Sequence, residues 1–336
     1  MKLYLVLSGE HRTLPLSEAL AIARAEGVPL KVLVHLDQVL LVDAEPTYLK
    51  LLRVRASLIK YAGVLVDVIE VDRGGDAAKI VRAINHLSVR DIVFKRVKEY
   101  SPWLSYEDVV SYAKHSLRRS GSGGEVIDVI LTEGVAVVGL RRFERDLSSF
   151  RARDPQNRPV YRPGTLTSVM SRVLVNLSRV SILRDSVFLD PFCGIGGLLL
   201  EACSIGVSSY LGIDINSDYV RGARENLTHY GCIPSVVSGD ACSLPIAVGR
   251  VDAIGTDPPY GRMTRVSGRS SVKELMKSFL ESAGKVLKKN SYMAFAQLKD
   301  ALSSYEIEDL GFKVIEKHRN WVHGSLTRDI YVVVKS

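Results

Sequence analysis

The stretch DPFCGIGGLLLEA, Asp190 to Ala202, decides how the second half of this chain folds. It leaves the apolar run VFLD (Val187–Asp190), turns through Gly194, Gly196 and Gly197, and enters an apolar helical pattern. Glycines at such a turn let backbone approach a ligand with no Cβ in the way, and the helix start aims N–H groups at it. Further apolar strands are predicted at SSYLGID (Ser208–Asp214), VDAIGTD (Val251–Asp257) and SYMAFAQ (Ser291–Gln297). Between them, Asn216–Leu227 and Val272–Leu287 carry apolar residues at helical spacing. Strand–helix alternation predicts a parallel sheet covered on both faces. FKVIEKHRNWVH and RDIYVVVK, turning around Gly324 and Ser325, then predict a terminal antiparallel hairpin.

Upstream, the first 70 or so residues read β-α-β-β-α-β, the split arrangement of ferredoxin-like folds. The strands are KLYLVL (Lys2–Leu7), LKVLVHL, QVLLVDA and VLVDVIEV; the helices are Ser17–Gly27 and Glu45–Ala62, and Asp37 and Gln38 turn a hairpin. A second unit, from about Ala77 to Phe143, holds a helix near Ala77–Leu87 and the strand IVFKRVKEY. The helix SYEDVVSYAKHSL, capped by Ser105, and the paired strands VIDVILTEG and VAVVGLRRF complete it. Residues 143–164 lack periodicity and read as a linker. Seven arginines between Arg141 and Arg162 stand there against Glu144, Asp146 and Asp154. That excess suits either a solvated connector or a strap lying beside phosphates, through Arg151 and Arg153 among others.

A length of 336 residues suggests two domains or three. Lys and Arg number 45 against 37 Asp and Glu, and both halves share the excess, which favours a polyanionic partner. A hydrophobic share of 46% excludes wholesale disorder. None of Cys193, Cys203, Cys232 and Cys242 forms a C-x-x-C pair, so no metal site is expected. Four thiols in so long a chain predict no disulfide scaffold and a reducing interior. The apolar start ends at Ser8-Gly9-Glu10, too short for a signal peptide, and no apolar run reaches membrane-spanning length. A cytoplasmic protein with no obligatory protein partner is the expectation.

Three acids follow the glycine turn at strand ends. Asp214, twenty residues after Gly194, is placed to accept from both hydroxyls of a ribose. Asp240, with the Ala241 N–H beside it, suits an adenine edge. Together they describe a site for an adenosine-bearing cofactor, a signature shared with NAD and FAD enzymes. The sharpest signal is DPPYG, Asp257 to Gly261. Its two prolines fix a loop that loses little entropy on binding. The Asp257 carboxylate and the Pro258 carbonyl form an acceptor pair for the two hydrogens of an aryl amine, and Tyr260 is placed to stack on the base. An NAD-dependent oxidoreductase leaves that loop unexplained, and Leu199 stands where the last glycine of G-x-G-x-x-G belongs. A non-enzymatic RNA-binding scaffold would carry damaged site residues, and none is damaged.

With these residues in view, the chain resembles the class I S-adenosylmethionine-dependent methyltransferases that act on amino groups. More closely, it resembles the archaeal tRNA guanine-10 N2-methyltransferases, a THUMP-containing branch. RPVYRPGTLTSVMSRVLVNLSRV (Arg158–Val180), DPFCGIGGLLLEA and TDPPYGR (Thr256–Arg262) carry the resemblance, and VFKRVKEYSPWLSYEDVVSYAKHSL extends it by pattern into the first half. The implied fold is α/β: a C-terminal Rossmann-like methyltransferase sheet with a terminal antiparallel hairpin over residues 165–336. It is preceded by an α+β module, ferredoxin-like over 1–72 and THUMP over 73–143, with a linker at 144–164. The resemblance implies methyl transfer from S-adenosylmethionine, without metal, to the N2 amine of a tRNA guanosine. Another tRNA position, an rRNA guanine and a DNA adenine are the alternatives, the last disfavoured by the N-terminal module. Thr165, Asp190, Gly194, Gly196, Asp214, Asp240 and Ala241 would bind cofactor; Asp257, Pro258 and Tyr260 would bind and orient the guanine. Lys95, Arg96, Lys98, Lys114, Arg118 and Arg119 would meet RNA phosphates. Arg162, where relatives often carry His, and Met263, where Ser or Thr is usual, depart from the pattern and bear on substrate preference.

Overall fold

The computed structural model describes residues 1–71, 76–97, 105, 107–108, 111, 124–259, 271–323 and 326–336. The chain divides into two compact units, residues 1–16 with 28–145 and residues 17–27 with 146–336.

The first unit is built on β1 (Lys2–Leu7), the start of α1 (Leu14–Ala25), β2 (Leu30–Leu36), β3 (Val39–Ala44), α2 (Pro46–Arg55) and β4 (Ile59–Glu70). It continues with α3 (Asp76–Ile84), β5 (Val89–Arg96), β6 (Glu125–Thr132) and β7 (Val135–Glu144). The strands form one seven-stranded sheet, β2-β3-β1-β4-β7-β6-β5, antiparallel except for β5 beside β6. Long β4 joins the two ends by pairing with β1 on one side and β7 on the other. The β2–β3 hairpin turns at Asp37 and Gln38, with Gln38 at φ 56. The helix expected over Glu45–Ala62 stops at Arg55, because Ala56 turns extended (ψ 132) and residues from Ile59 pair with β1. Periodicity overran there: Leu58 is buried as a strand-entry residue and not as the next helical turn. The helix expected at 105–117 lies largely outside the described residues. Inside this unit Tyr4, fully buried, donates to Asp128, which Arg141 also binds. Burial pushes the Tyr4 hydroxyl far above the ordinary phenol range, with the Asp128 charge adding to the shift.

The second unit carries α4 (Leu147–Ala152), a 3-10 turn at Pro155–Asn157, α5 (Ser168–Leu177) and β8 (Val187–Asp190). Next come α6 (Gly197–Ser204), β9 (Ser209–Asp214), α7 (Ser217–His229), β10 (Val236–Ser238) and β11 (Val251–Thr256). The chain ends with α8 (Val272–Val286), β12 (Leu287–Leu298), α9 (Ser304–Glu308), β13 (Phe312–His323) and β14 (Leu326–Lys335). Sheet order is β10-β9-β8-β11-β12-β14-β13, parallel through β12, with β14 antiparallel to both of its neighbours. Phe279, Leu280 and Ala283 of α8 pack on Leu189, Ile254, Met293 and Phe295 of the strands.

Two expectations need correction here. Residues 143–164 are not featureless: Asp146 caps α4 by accepting from the N–H groups of Ser148 and Ser149, and Phe150, Pro155 and Arg158 are buried. Arginine and proline content hid a helix too short to show a period. Likewise, a disulfide links Cys203 to Cys232, with their Cα atoms 6.1 Å apart, where only free thiols were expected. The pair joins α6 to the chain just past α7, a proximity that tertiary structure creates and spacing does not reveal. Among the described residues no helix is long and apolar enough to cross a membrane.

Candidate active site

Four neighbouring strand ends build the site. The chain runs outward from β8 to β9 and β10, then returns to the other side of β8 at β11, so the connectivity reverses between β8 and β11. Ligands of open α/β sheets bind in the crevice beyond the strand carboxyl ends at such a reversal. Asp190 ends β8, Asp214 ends β9, Asp240 follows β10 and Asp257 follows β11.

Asp190 is buried, and its Oδ1 accepts from the Thr256 hydroxyl at 2.7 Å and the Phe192 N–H at 3.3 Å. Because Thr256 immediately precedes Asp257, this bond pins Asp257 beside the start of the glycine turn. Burial pushes the Asp190 carboxyl up to about 7, with the charges of Asp214 and Asp257 adding to the shift. Three acids thus share one crevice closely enough to repel, an arrangement that favours a cationic ligand.

The glycine turn is closed by the Gly196 N–H donating to the Cys193 carbonyl at 2.8 Å. Gly194 (φ 50) and Gly196 (φ 85) both take left-handed backbone, which a side chain would strain. Their roles differ. A Cβ on Gly194 would meet nothing within 4 Å and would fill the open side, whereas one on Gly196 would press on Ala223 of α7 at 3.3 Å. The Gly194 N–H donates to Asp214 Oδ2 and the Asn216 N–H to Asp214 Oδ1, each at 2.9 Å. Each carboxylate oxygen retains a second lone pair for a ligand. Burial raises the Asp214 carboxyl above its usual range.

Asp240 caps the turn at Ala241–Ser243, accepting from the Cys242 N–H at 2.9 Å, and Ala241 is buried in the core. Thr165 precedes the helix that leads into the sheet. It sits in the preceding turn, its hydroxyl donating to the Arg162 carbonyl at 2.8 Å, and α5 begins at Ser168 behind the Thr167 cap. Pro258 is buried, and Tyr260 lies outside the described residues. A residue that sequence reasoning missed stands beside the loop: the Arg328 guanidinium of β14 lies 3.7 Å from Asp257 Oδ2, both side chains largely buried. Its signal was present in RDIYVVVK, a charged pair opening an otherwise apolar strand, since buried charges need partners.

The proposed RNA contacts scatter. Lys95 of β5 sits half-buried with its ammonium 5.3 Å from the Tyr61 ring centroid, and burial with Lys60 nearby pulls it down to about 8. Arg96 lies over Phe94. Lys98, Lys114, Arg118 and Arg119 fall outside the described residues. Arg151 is exposed on α4, but Arg153 turns inward and binds Glu201 at 2.8 Å. Glu201 is fully buried and also binds Arg172, so the Arg153 guanidinium is committed to the core and not to solvent.

Together the open glycine, the N–H groups at the start of α6 and the converging acids fit S-adenosylmethionine, which carries an adenosine, two positive charges and a carboxylate. Residues 155–330 match the family model of the RMKL-like methyltransferase domain. The chain belongs to this methyltransferase family. A tRNA (guanine(10)-N2)-dimethyltransferase of Methanothermobacter thermautotrophicus is 31% identical over 99% of both chains. One of the same name from Pyrococcus abyssi is 41% identical over 58% of each. Among solved structures, TrmN from Thermus thermophilus aligns over the full length of both chains at a TM-score of 0.57 and 19% identity, a likeness of fold. The methyltransferase therefore shares its fold with a protein of low identity.

Proposed function

We infer that this methyltransferase transfers methyl groups from S-adenosylmethionine to the exocyclic N2 amine of guanosine 10 in tRNA, a first methyl and then a second. The observation that carries the reading is the end-to-end likeness to the Methanothermobacter enzyme, which spans both units. The Thr256–Asp190 bond supports it, because it keeps the loop that would hold the base next to the turn that would hold the donor.

When bound, S-adenosylmethionine supplies a methyl group made electrophilic by its sulfonium. The chain's own task is to bring the amine to it. A guanine N2 is a poor nucleophile because its lone pair is delocalised into the ring. In our reading, Asp257 and the Pro258 carbonyl accept its two N–H hydrogens and hold the nitrogen with its lone pair out of the ring plane. Tyr260 stacks on the base. Such positioning supplies up to ~7–11 kcal/mol in ideal cases. The ammonium formed on transfer is acidic and gives its proton to the Asp257 carboxylate or to water. Asp214 would take the ribose hydroxyls through its remaining lone pairs, Asp240 and the Ala241 N–H the adenine, and Gly194, in the turn that Gly196 shapes, would admit the amino-acid tail beside Thr165. Asp190 stays near the donor as the buried neighbour of both loops. A base inside a tRNA stem must leave the stack to reach this crevice.

The N-terminal unit, a ferredoxin-like 1–72 plus a THUMP-like 73–143, is proposed to hold the tRNA, with residues 144–164 leading to the methyltransferase domain at 165–336. A tRNA substrate places the protein in the cytoplasm, and the chemistry calls for no metal. Asp257→Ala tests the reading: methyl incorporation into tRNA should fall at least about 100-fold, the scale of a lost positioning contact. Undiminished incorporation would overturn it.

A further inference from the structure

Asp190 and Asp257 are two buried carboxyl groups at adjacent strand ends, and they differ in one respect. Among the described residues no cation pairs with Asp190, and burial carries it up to about 7. Asp257 has Arg328, 3.7 Å away on β14. The strand directs the arginine there. Successive β residues point to opposite faces, and the next residue, Asp329, is fully buried against the cations of β13, bound by Lys317 at 3.1 Å and Arg319 at 3.2 Å. Asp329 thus takes its cations from β13, while the Arg328 guanidinium reaches Asp257 at the β11 end. Opposite Arg328 in the sheet stand Leu298 and Asn320, neither of them charged.

We propose that Arg328 is a positioning residue of this methyltransferase: it keeps Asp257 ionised and turns the carboxylate's remaining lone pairs toward the amine of the substrate base. The proposal rests on the role given to Asp257 above. A neutral carboxyl there would present an O–H to an amine that needs an acceptor, and the amine would lose half its clamp. From the described elements, Asp190 of β8, backed by Asp214 of β9, and Arg328 of β14 act on Asp257. The two acids favour the protonated form and Arg328 opposes them.

The experiment is the pH dependence of kcat/KM for tRNA methylation in wild type, Arg328→Met and Arg328→Lys. An arginine beside an aspartate lowers its pKa by about 1–3 units. In Arg328→Met the acid limb should therefore move up by about 1–3 pH units, with the loss of activity growing as pH falls and largely recovered by about pH 9. Arg328→Lys keeps the charge and should leave the limb near its wild-type position. A loss in Arg328→Met that is uniform across pH, or no loss, overturns the proposal, because a purely structural arginine would not move the limb. If circular dichroism shows Arg328→Met unfolded, Arg328→Gln takes its place in the same comparison. Asp257→Ala in parallel separates the two ideas: full activity in that variant refutes the role of Asp257 itself, whatever Arg328 does.

Discussion

Asp190 holds a proton at a pH where most carboxylic acids have lost theirs, and this has a sign that can be measured. Its folded-state value near 7 lies above the unfolded value of 3.8, so between about pH 4 and 7 the native state binds the extra proton. The contribution of this group is therefore fully present at low pH and is lost as pH rises through 7. Asn at this position cannot ionise, yet its side-chain oxygen can still accept from Thr256. Thermal or denaturant melts from pH 4 to 8 should show the stability of wild type falling relative to Asp190→Asn across that window, with a ceiling on the order of 4 kcal/mol. Parallel curves would contradict the burial argument. At the same scale, sequence made the acids legible as strand-end residues but not their division of labour. Asp190 stood among the ligand-binding residues, and only the Thr256 bond reveals it as the pin between two loops. The charge of Arg328 could be read in RDIYVVVK but its partner could not, because Asp257 lies 71 positions earlier and only the antiparallel β14 brings the two close.

Elements succeed or fail here by their turns. The glycine turn is the one that cannot be altered: Gly196→Val would force a side chain into left-handed backbone against Ala223. Strain of this kind costs about 1–3 kcal/mol. The variant should melt several degrees lower and lose S-adenosylhomocysteine binding in calorimetry; wild-type affinity would show that the turn does not shape the site. The Cys203–Cys232 disulfide spans 29 positions and ties α6, the helix that follows the glycines, to the end of α7. A closed loop of that size contributes about 3 kcal/mol by restricting the unfolded chain. Reductant, or Cys203→Ser, should lower the melting temperature by that measure, while an unchanged melt would mean the bridge does not form in solution. Strands and long helices of the second unit were readable from periodicity because their apolar faces are wide. α4 was not, because six residues are too few to carry a period, and its cap at Asp146 was the clue passed over.

Of the whole molecule, the sequence conveyed the order β-α-β-β-α-β and the parallel sheet with its final hairpin, but not which residues keep company. Residues 17–27, most of α1, cluster with the methyltransferase unit. Buried Glu18 accepts from Asn176 at 2.8 Å, and Glu26 accepts from the Ser181 hydroxyl and the Ile182 N–H. Carboxylates bonded to α5 and its following turn cannot be foreseen from a helix that reads as ordinary. A fragment of residues 146–336 should consequently unfold at lower denaturant than the same unit in the full chain. The deficit should reach about 2 kcal/mol or more, since each charged hydrogen bond lost is worth about 1.5–3 kcal/mol. Equal stability would make α1 dispensable to the second unit. Methylating unmodified tRNA transcripts with isotopically labelled S-adenosylmethionine and mapping the product nucleoside by mass spectrometry tests most directly whether this methyltransferase acts on guanosine 10. The account predicts N2-methyl- and N2,N2-dimethylguanosine at position 10, and no label in a transcript carrying adenosine there; label on another atom or at another position would contradict it.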